Sequence, residues 1–173
     1  MENIKGVIRF AKVKLDAIIP SKRHEDGCYD IYSNFEDDEI IIKSGQIKFI
    51  PTGIASSFDP RYRFNCKRER GSTGKIGLEV LSGQIDSGYR GEWFVCLVNP
   101  TSHDIIISKM VEETKFLCRT DGSIVEVYYP YSKAICQAAL EFVPVVDIEE
   151  VAYEELKLIL SERGMGKVGS SGK

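Results

Sequence analysis

An all-β fold is predicted by three observations. Short apolar runs recur at close intervals, Gly, Pro, Asp or Ser stands in the gaps between them, and several runs alternate apolar with polar residues. The chain has 173 residues, 43% hydrophobic and 28% charged, enough for one domain with a proper core, alone or with an arm. A net charge of -3 exerts no global pull on nucleic acid or on an anionic membrane. Residues 1–20 alternate lysines and an arginine with single apolar residues and lack the apolar stretch of a signal peptide, and no later run approaches the ~18 residues of a membrane span. A cytoplasmic protein with no nucleic-acid and no membrane partner is therefore expected. The five cysteines, Cys28, Cys66, Cys96, Cys118 and Cys136, are odd in number and include no C-x-x-C pair. That pattern points to reduced strand or core residues rather than a disulfide framework or a structural zinc site.

The first element follows from alternation in residues 7–15, and Pro20-Ser21-Lys22-Arg23 ends the extended run. Strands are next expected at Ile40-Ile41-Ile42, Ile47-Lys48-Phe49-Ile50, Ile54-Ala55-Ser56-Ser57-Phe58 and Tyr62–Lys67. Around the last of these, alternation puts Arg61, Arg63, Asn65 and Lys67 on one face and Tyr62, Phe64 and Cys66 on the other. Arg61 and Arg63 are read as a solvated outer face. Lys67, Arg68 and Arg70 instead lead into Gly71-Ser72-Thr73-Gly74-Lys75, where glycines, hydroxyls and cations together suit a phosphate.

Segment 83–91, Gly-Gln-Ile-Asp-Ser-Gly-Tyr-Arg-Gly, is flanked by Leu78, Val80 and Leu81 before and by Trp93, Phe94, Val95, Leu97 and Val98 after, so a hairpin with Asp86 and Tyr89 near its tip is predicted. A sharply turned backbone offers N–H and C=O groups to a flat polar ligand edge, and Asp86 is available to orient or deprotonate a water. Taken alone, the segment is more simply an ordinary reversing turn. Residues 101–131 are less regular, with an Asp121-Gly122 turn signal, and read as an extra hairpin. Residues 133–143 read as a late core strand carrying one amide, Gln137, which alone is no more than edge polarity. Asp147 with Glu150 forms a capping-box pattern before Ile148, Val151, Leu156, Ile159 and Leu160, predicting a short helix. Residues 163–173 cannot pack a core, and alone they read as a disordered terminus. His24 and His103 are assigned to the surface.

The order of these signals resembles the trimeric dUTPase (dUTP diphosphatase) family, over residues 7–172 apart from 101–131. The resemblance implies a distorted jelly-roll β-barrel over residues 1–146, with an inserted hairpin region at about 101–131 as in phage-like variants. A linker and a flexible glycine-rich C-terminal active-site arm would occupy residues 147–173. It further implies a homotrimer with shared active sites. The implied reaction is hydrolysis of dUTP to dUMP and pyrophosphate by water attack at the α-phosphorus, limiting uracil in DNA and supplying dUMP.

The family's first motif is similar to Gly27-Cys28-Tyr29-Asp30-Ile31, with Asp30 as its acid and Cys28 where Gly is usual. The second resembles Arg70-Gly71-Ser72, implying phosphate binding by Arg70 and, since Gly71 takes the usual Ser place, by the Ser72 hydroxyl. The third makes Asp86 the catalytic base and packs Tyr89 on the deoxyribose, while main-chain groups of the hairpin, including Gly83 and Ile85, select uracil. The fourth retains Gln137 as a phosphate contact, but Lys133 and Ala134 replace its Asp and Arg. The fifth, Arg-Gly-x-x-Gly-Phe-Gly-Ser-Ser-Gly, resembles Arg163 to Gly172 and implies phosphate contacts from Arg163, Gly169 and Ser170. Val168 replaces its stacking aromatic, and Trp93 is the candidate substitute. The cofactor implied is magnesium, held by the triphosphate through water and by no direct protein ligand.

Two other functions share these residues. A dCTP deaminase would need a glutamate in the strand after the hairpin, where Cys96 stands, and Glu92 falls earlier. A catalytically weak binding or regulatory protein of the same fold would use the 101–131 region as a protein-partner surface. Deleting residues 114–130 is then expected to remove partner binding and spare turnover.

Overall fold

The computed structural model describes residues 6–67, 71–162, 164 and 165, with Ser82 described by its backbone only. The all-β prediction holds. Thirteen strands run in chain order through the described residues: β1 (Arg9–Lys12), β2 (Cys28–Tyr32), β3 (Glu39–Ile42), β4 (Ile47–Pro51), β5 (Ile54–Ser57), β6 (Tyr62–Lys67), β7 (Glu79–Ser82), β8 (Gln84–Asp86), β9 (Phe94–Val98), β10 (Asp104–Ser108), β11 (Lys115–Cys118), β12 (Ile124–Pro130) and β13 (Ala134–Phe142). They form sheets of order β1-β5, β11-β12-β10-β3, β2-β13-β6-β8 and β4-β9-β7. These strands lie in one compact unit that ends at Val143, and the residues from Pro144 form a second. Among the described residues no helix is long and apolar enough to cross a membrane.

Alternation decides which face of β6 is buried. Phe64 and Cys66 face the core, and Phe64 collects the rings of Phe10, Tyr29, Phe58 and Trp93 at centroid separations of 5.1–5.8 Å. Ring pairs at these tilts and distances add to the burial they already gain. On the opposite face the prediction needs one correction. Arg61 does sit at the surface, bonded to Asp59, but Arg63 is engaged across the sheet with Glu141 at 3.2 Å. Lys67 reaches the same carboxylate at 2.8 Å and Asn65 at 3.1 Å, because β13 pairs antiparallel with β6 and places Glu141 opposite Arg63. Lys67, Asn65 and Arg63 together hold the Glu141 carboxyl below its usual range.

The extra hairpin is present as β11 and β12, joined by a turn in which Gly122 has φ 84° and Asp121 accepts from Ser123 N–H at 2.9 Å. Its two strands differ in role. All four residues of β11 are exposed, Phe116 and Leu117 each by 52%, whereas β12 pairs in parallel with β10 and fully buries Val127 and Tyr129. Deleting residues 114–130 would therefore remove core, and Phe116→Ser with Leu117→Ser is the variant that isolates the surface. The helix starts later than its capping pattern predicts. It spans Tyr153–Leu158 with Ala152 at the N-cap and no side-chain cap, so Asp147 and Glu150 are not its box. It buries no residue, and Glu154 and Glu155 in its first turn favour the N-terminal dipole.

Candidate active site

The predicted hairpin is interrupted, and the interruption builds the site. β7 pairs antiparallel with β9, as two strands joined by a turn should. Between them the chain leaves this sheet, and β8 pairs with β6 instead, setting Gln84 opposite Asn65, Ile85 opposite Phe64 and Asp86 opposite Arg63. Gly83 is the pivot, since a Cβ there would lie 2.4 Å from Cys66 Cβ and 2.9 Å from the Cys66 carbonyl oxygen. Only glycine permits that approach. The Gly83 carbonyl then accepts from Cys66 N–H at 2.9 Å.

From Ile85, which is buried and anchors β8, the chain turns so that Tyr89 N–H donates to the Asp86 carbonyl at 3.1 Å. The Tyr89 hydroxyl donates to the Glu92 carbonyl at 2.9 Å, which lays the ring over Gly91, where a Cβ would meet the hydroxyl at 2.5 Å. Beneath the turn, Arg90 Nη1 donates to the carbonyls of Ser87 at 2.6 Å, Tyr89 at 3.1 Å and Ser56 at 3.3 Å. The result is a cleft of about 540 Å³ lined by Phe49, Gly83, Gln84, Ile85, Asp86, Tyr89, Glu92 and Phe94. Asp86 and Tyr89 both remain exposed in it. Its arrangement suits a flat polar ring edge with a carboxylate placed beside it.

A second cleft, of about 680 Å³, gathers the first-motif loop. Ser21 to Asp30 closes on itself through an Asp30 N–H bond to the Ser21 carbonyl at 3.0 Å, and Gln137 completes the lining. Gln137 Nε2 donates to Asp30 Oδ1 at 3.0 Å, so the strand amide that looked like edge polarity is bonded to an acid 107 positions away. Within this loop Arg23 bonds Asp26 at 2.8 Å and holds its carboxyl below the usual range. Among the described residues the two clefts share no lining residue. Asp86 faces Arg63 on β6 while Gln137 faces Lys67, so the two side chains originate about 16 Å apart at strand geometry.

Gly83, Ile85, Asp86 and Tyr89 are thus brought together, as are Asp30 and Gln137. Ser72 precedes a 3-10 turn, Thr73–Ile76, and its carbonyl accepts from Lys75 N–H at 3.0 Å. Among the described residues it lines neither cleft. Arg70, Arg163, Gly169 and Ser170 lie outside the described residues, as does Val168. Trp93 cannot substitute for a lid ring, because it is 1% exposed and its indole N–H donates to Ser56 Oγ at 3.1 Å. Glu92 lines the first cleft, but its Oε1 accepts from Gly53 N–H at 2.7 Å, and Cys96 is buried. Neither is placed as the acid of a deaminase. Sequence reasoning missed Gln84, Phe49 and Phe94 as lining residues and Arg90 as the clamp. Only Gln84 carried a usable signal, as the polar partner of Asp86 in the Gln84-Ile85-Asp86 alternation.

No protein-family model matches the sequence. The deoxyuridine 5'-triphosphate nucleotidohydrolase of Nautilia profundicola is 31% identical, over 96% of this chain and 99% of its own. That of Clostridioides difficile is 30% identical, over 95% and 97%. Among solved structures, a dUTPase of Staphylococcus bacteriophage 80alpha, with dUpNHpp, superposes with a TM-score of 0.71 at 22% identity, covering 96% of this chain and 99% of that one. A dUTPase from phage phi11 of S. aureus, described with a structural Mg(II) ion, gives 0.64 at 19%, covering 86% and 99%. The structural likeness establishes the fold, and the identity held over nearly the full length of both curated relatives establishes more: the chain belongs to the deoxyuridine 5'-triphosphate nucleotidohydrolase family, the dUTPases.

Proposed function

We propose that this protein hydrolyses dUTP to dUMP and pyrophosphate in the cytoplasm, with Asp86 activating the water that attacks the α-phosphorus. The observation that carries the reading is the exposed Asp86 carboxylate at the end of β8, in a cleft whose other side is the clamped ring of Tyr89. Main-chain groups from Gly83 to Ile85 meet the uracil edge. Tyr89 packs on the deoxyribose, and because its hydroxyl is tied to Glu92 it cannot swing away to admit a ribose 2'-OH. Asp86 orients the water in line and takes its proton. Gln137, Ser72, Arg70, Arg163, Gly169 and Ser170 meet the phosphates, the last four from outside the described residues.

The donor set fits a magnesium ion held chiefly by substrate. Among the described residues no group of three His, Cys, Asp or Glu side chains is placed to hold a metal ion, and Asp30 in the second cleft is the one assigned acid there that would reach the ion, through water. Magnesium tolerates such a site because it keeps its waters and takes phosphate oxygens. When bound, it neutralises charge on the triphosphate and on the departing pyrophosphate.

Pyrophosphate release with magnesium from dUTP, dCTP, dTTP and UTP tests the activity. Release from dUTP alone is expected; ammonia from dCTP, or release from no nucleotide, would overturn it.

A homotrimer with shared sites is part of the same reading. It is supported by the separation of the two clefts, and by the outward face of β4-β9-β7, where Phe49 is 64% exposed beside Ile47, Leu81 and Phe94. Mixing the Asp86→Asn and Gln137→Leu variants and letting chains reassort should restore about a quarter of wild-type turnover, if each site draws the two residues from different chains. No restoration would place each site within one chain. The exposed Phe116 and Leu117 of β11 support a protein contact at residues 101–131 alongside catalysis. Structures of the 80alpha enzyme are described in terms of control of virulence-gene transfer, which makes a regulatory use of that surface the second reading.

A further inference from the structure

Asp86 and Arg63 face each other across β8 and β6, a placement in which a carboxylate and a guanidinium ordinarily pair directly. Here they do not. Arg63 turns its Nε to Glu141 Oε2 at 3.2 Å and its Nη1 to Gln84 Oε1 at 3.3 Å, and Gln84 Nε2 donates to Asp86 Oδ1 at 3.1 Å. The amide orientation is dictated by its neighbours: a guanidinium only donates and an ionised carboxylate only accepts, so the Gln84 oxygen must face Arg63 and its nitrogen Asp86. Glu141 is itself held on its other oxygen by Lys67 at 2.8 Å and Asn65 at 3.1 Å. One polar chain therefore runs across the outward face of the sheet, from β13 through β6 to the carboxylate on β8.

We propose that Gln84 is a positioning residue for Asp86: its amide fixes one carboxylate oxygen and leaves the other for the water, while Arg63, anchored by Glu141, fixes the amide. This rests on the reading of Asp86 as the base. The neutral spacer matters chemically. A direct ion pair with Arg63 would hold Asp86 equally still but favour its charged form, making it a poorer proton acceptor. Gln84 supplies the orientation without the pairing. The other charged groups of the hairpin are occupied elsewhere, Arg90 with three carbonyls and Glu92 with Gly53 N–H.

The test is a double-mutant cycle on the full chain. Gln84→Met keeps the length of the side chain and removes both bonds from an exposed position. It is expected to lower kcat for dUTP about tenfold with KM within about twofold, the loss of one hydrogen bond to a charged group. In an Asp86→Asn background the same change should cost nothing further, because its effect passes through Asp86. Gln84→Glu keeps an acceptor for Arg63 but sets a second carboxylate against Asp86, and should move the acidic limb of kcat/KM up by about one pH unit. Equal losses from Gln84→Met in both backgrounds, or an unmoved limb in Gln84→Glu, would overturn the proposal. Near-normal kcat for Asp86→Asn alone would instead remove Asp86 as the base, and this inference with it.

Discussion

Asp86→Asn binds dUTP as the unchanged protein does and turns it over about two to four orders of magnitude more slowly, the range general-base catalysis supplies. The substitution preserves shape: asparagine still offers an oxygen to Gln84 Nε2, and its carbonyl oxygen on the backbone still accepts from Tyr89 N–H. What it loses is the capacity to take a proton. With the base and sugar contacts proposed for Gly83, Ile85 and Tyr89 rather than for Asp86, KM should stay within a few-fold while kcat falls. Steady-state kinetics beside equilibrium binding of a non-hydrolysable dUTP analogue separates the two, and a variant with near-normal kcat would take Asp86 out of the role.

Trp93→Ala acts on the fold. The ring is packed against Phe10 at 5.7 Å and Phe64 at 5.1 Å, and its indole N–H is bonded to a buried Ser56 hydroxyl. Truncation leaves a cavity and an unpaired hydroxyl, and about 3–5 kcal/mol of stability should be lost, seen as a lower urea midpoint. Under conditions where the variant remains folded, KM for dUTP should be close to normal. A small stability loss with a large rise in KM would restore Trp93 as a lid aromatic.

How far each feature could be read from the chain depended on how local its cause is. The alternation of Tyr62–Lys67 is a property of adjacent residues, and it correctly separated Phe64 and Cys66 from Arg63, Asn65 and Lys67. What the outward residues do there was not legible, since Glu141 is 78 positions from Arg63. Asp30 and Gln137 came as separate motif matches, and only the pairing of β2 with β13 shows their bond. The hairpin ends were readable from apolar runs, but its detour through β8 depends on the missing Cβ of Gly83 against Cys66, a tertiary contact. Trp93 was misassigned because it stands just before β9, where no alternation marks which side is covered, and its burial rests on the distant rings of Phe10 and Phe64. The helix start failed because Asp147 and Glu150 matched a capping pattern that the chain does not use.

Because Trp93 is the only tryptophan in the chain and is fully enclosed, the protein carries its own optical reporter. Its emission belongs at short wavelength in the native state and should shift to the red when the core opens and water reaches the indole. The same residue is flanked in sequence by Glu92 and Phe94, both in the wall of the Asp86 cleft. If a nucleotide settles against that wall, as proposed above, its effect on the indole would have to pass through these two neighbours, and a change in the native emission on adding dUTP, distinct from the red shift of unfolding, is the expected result.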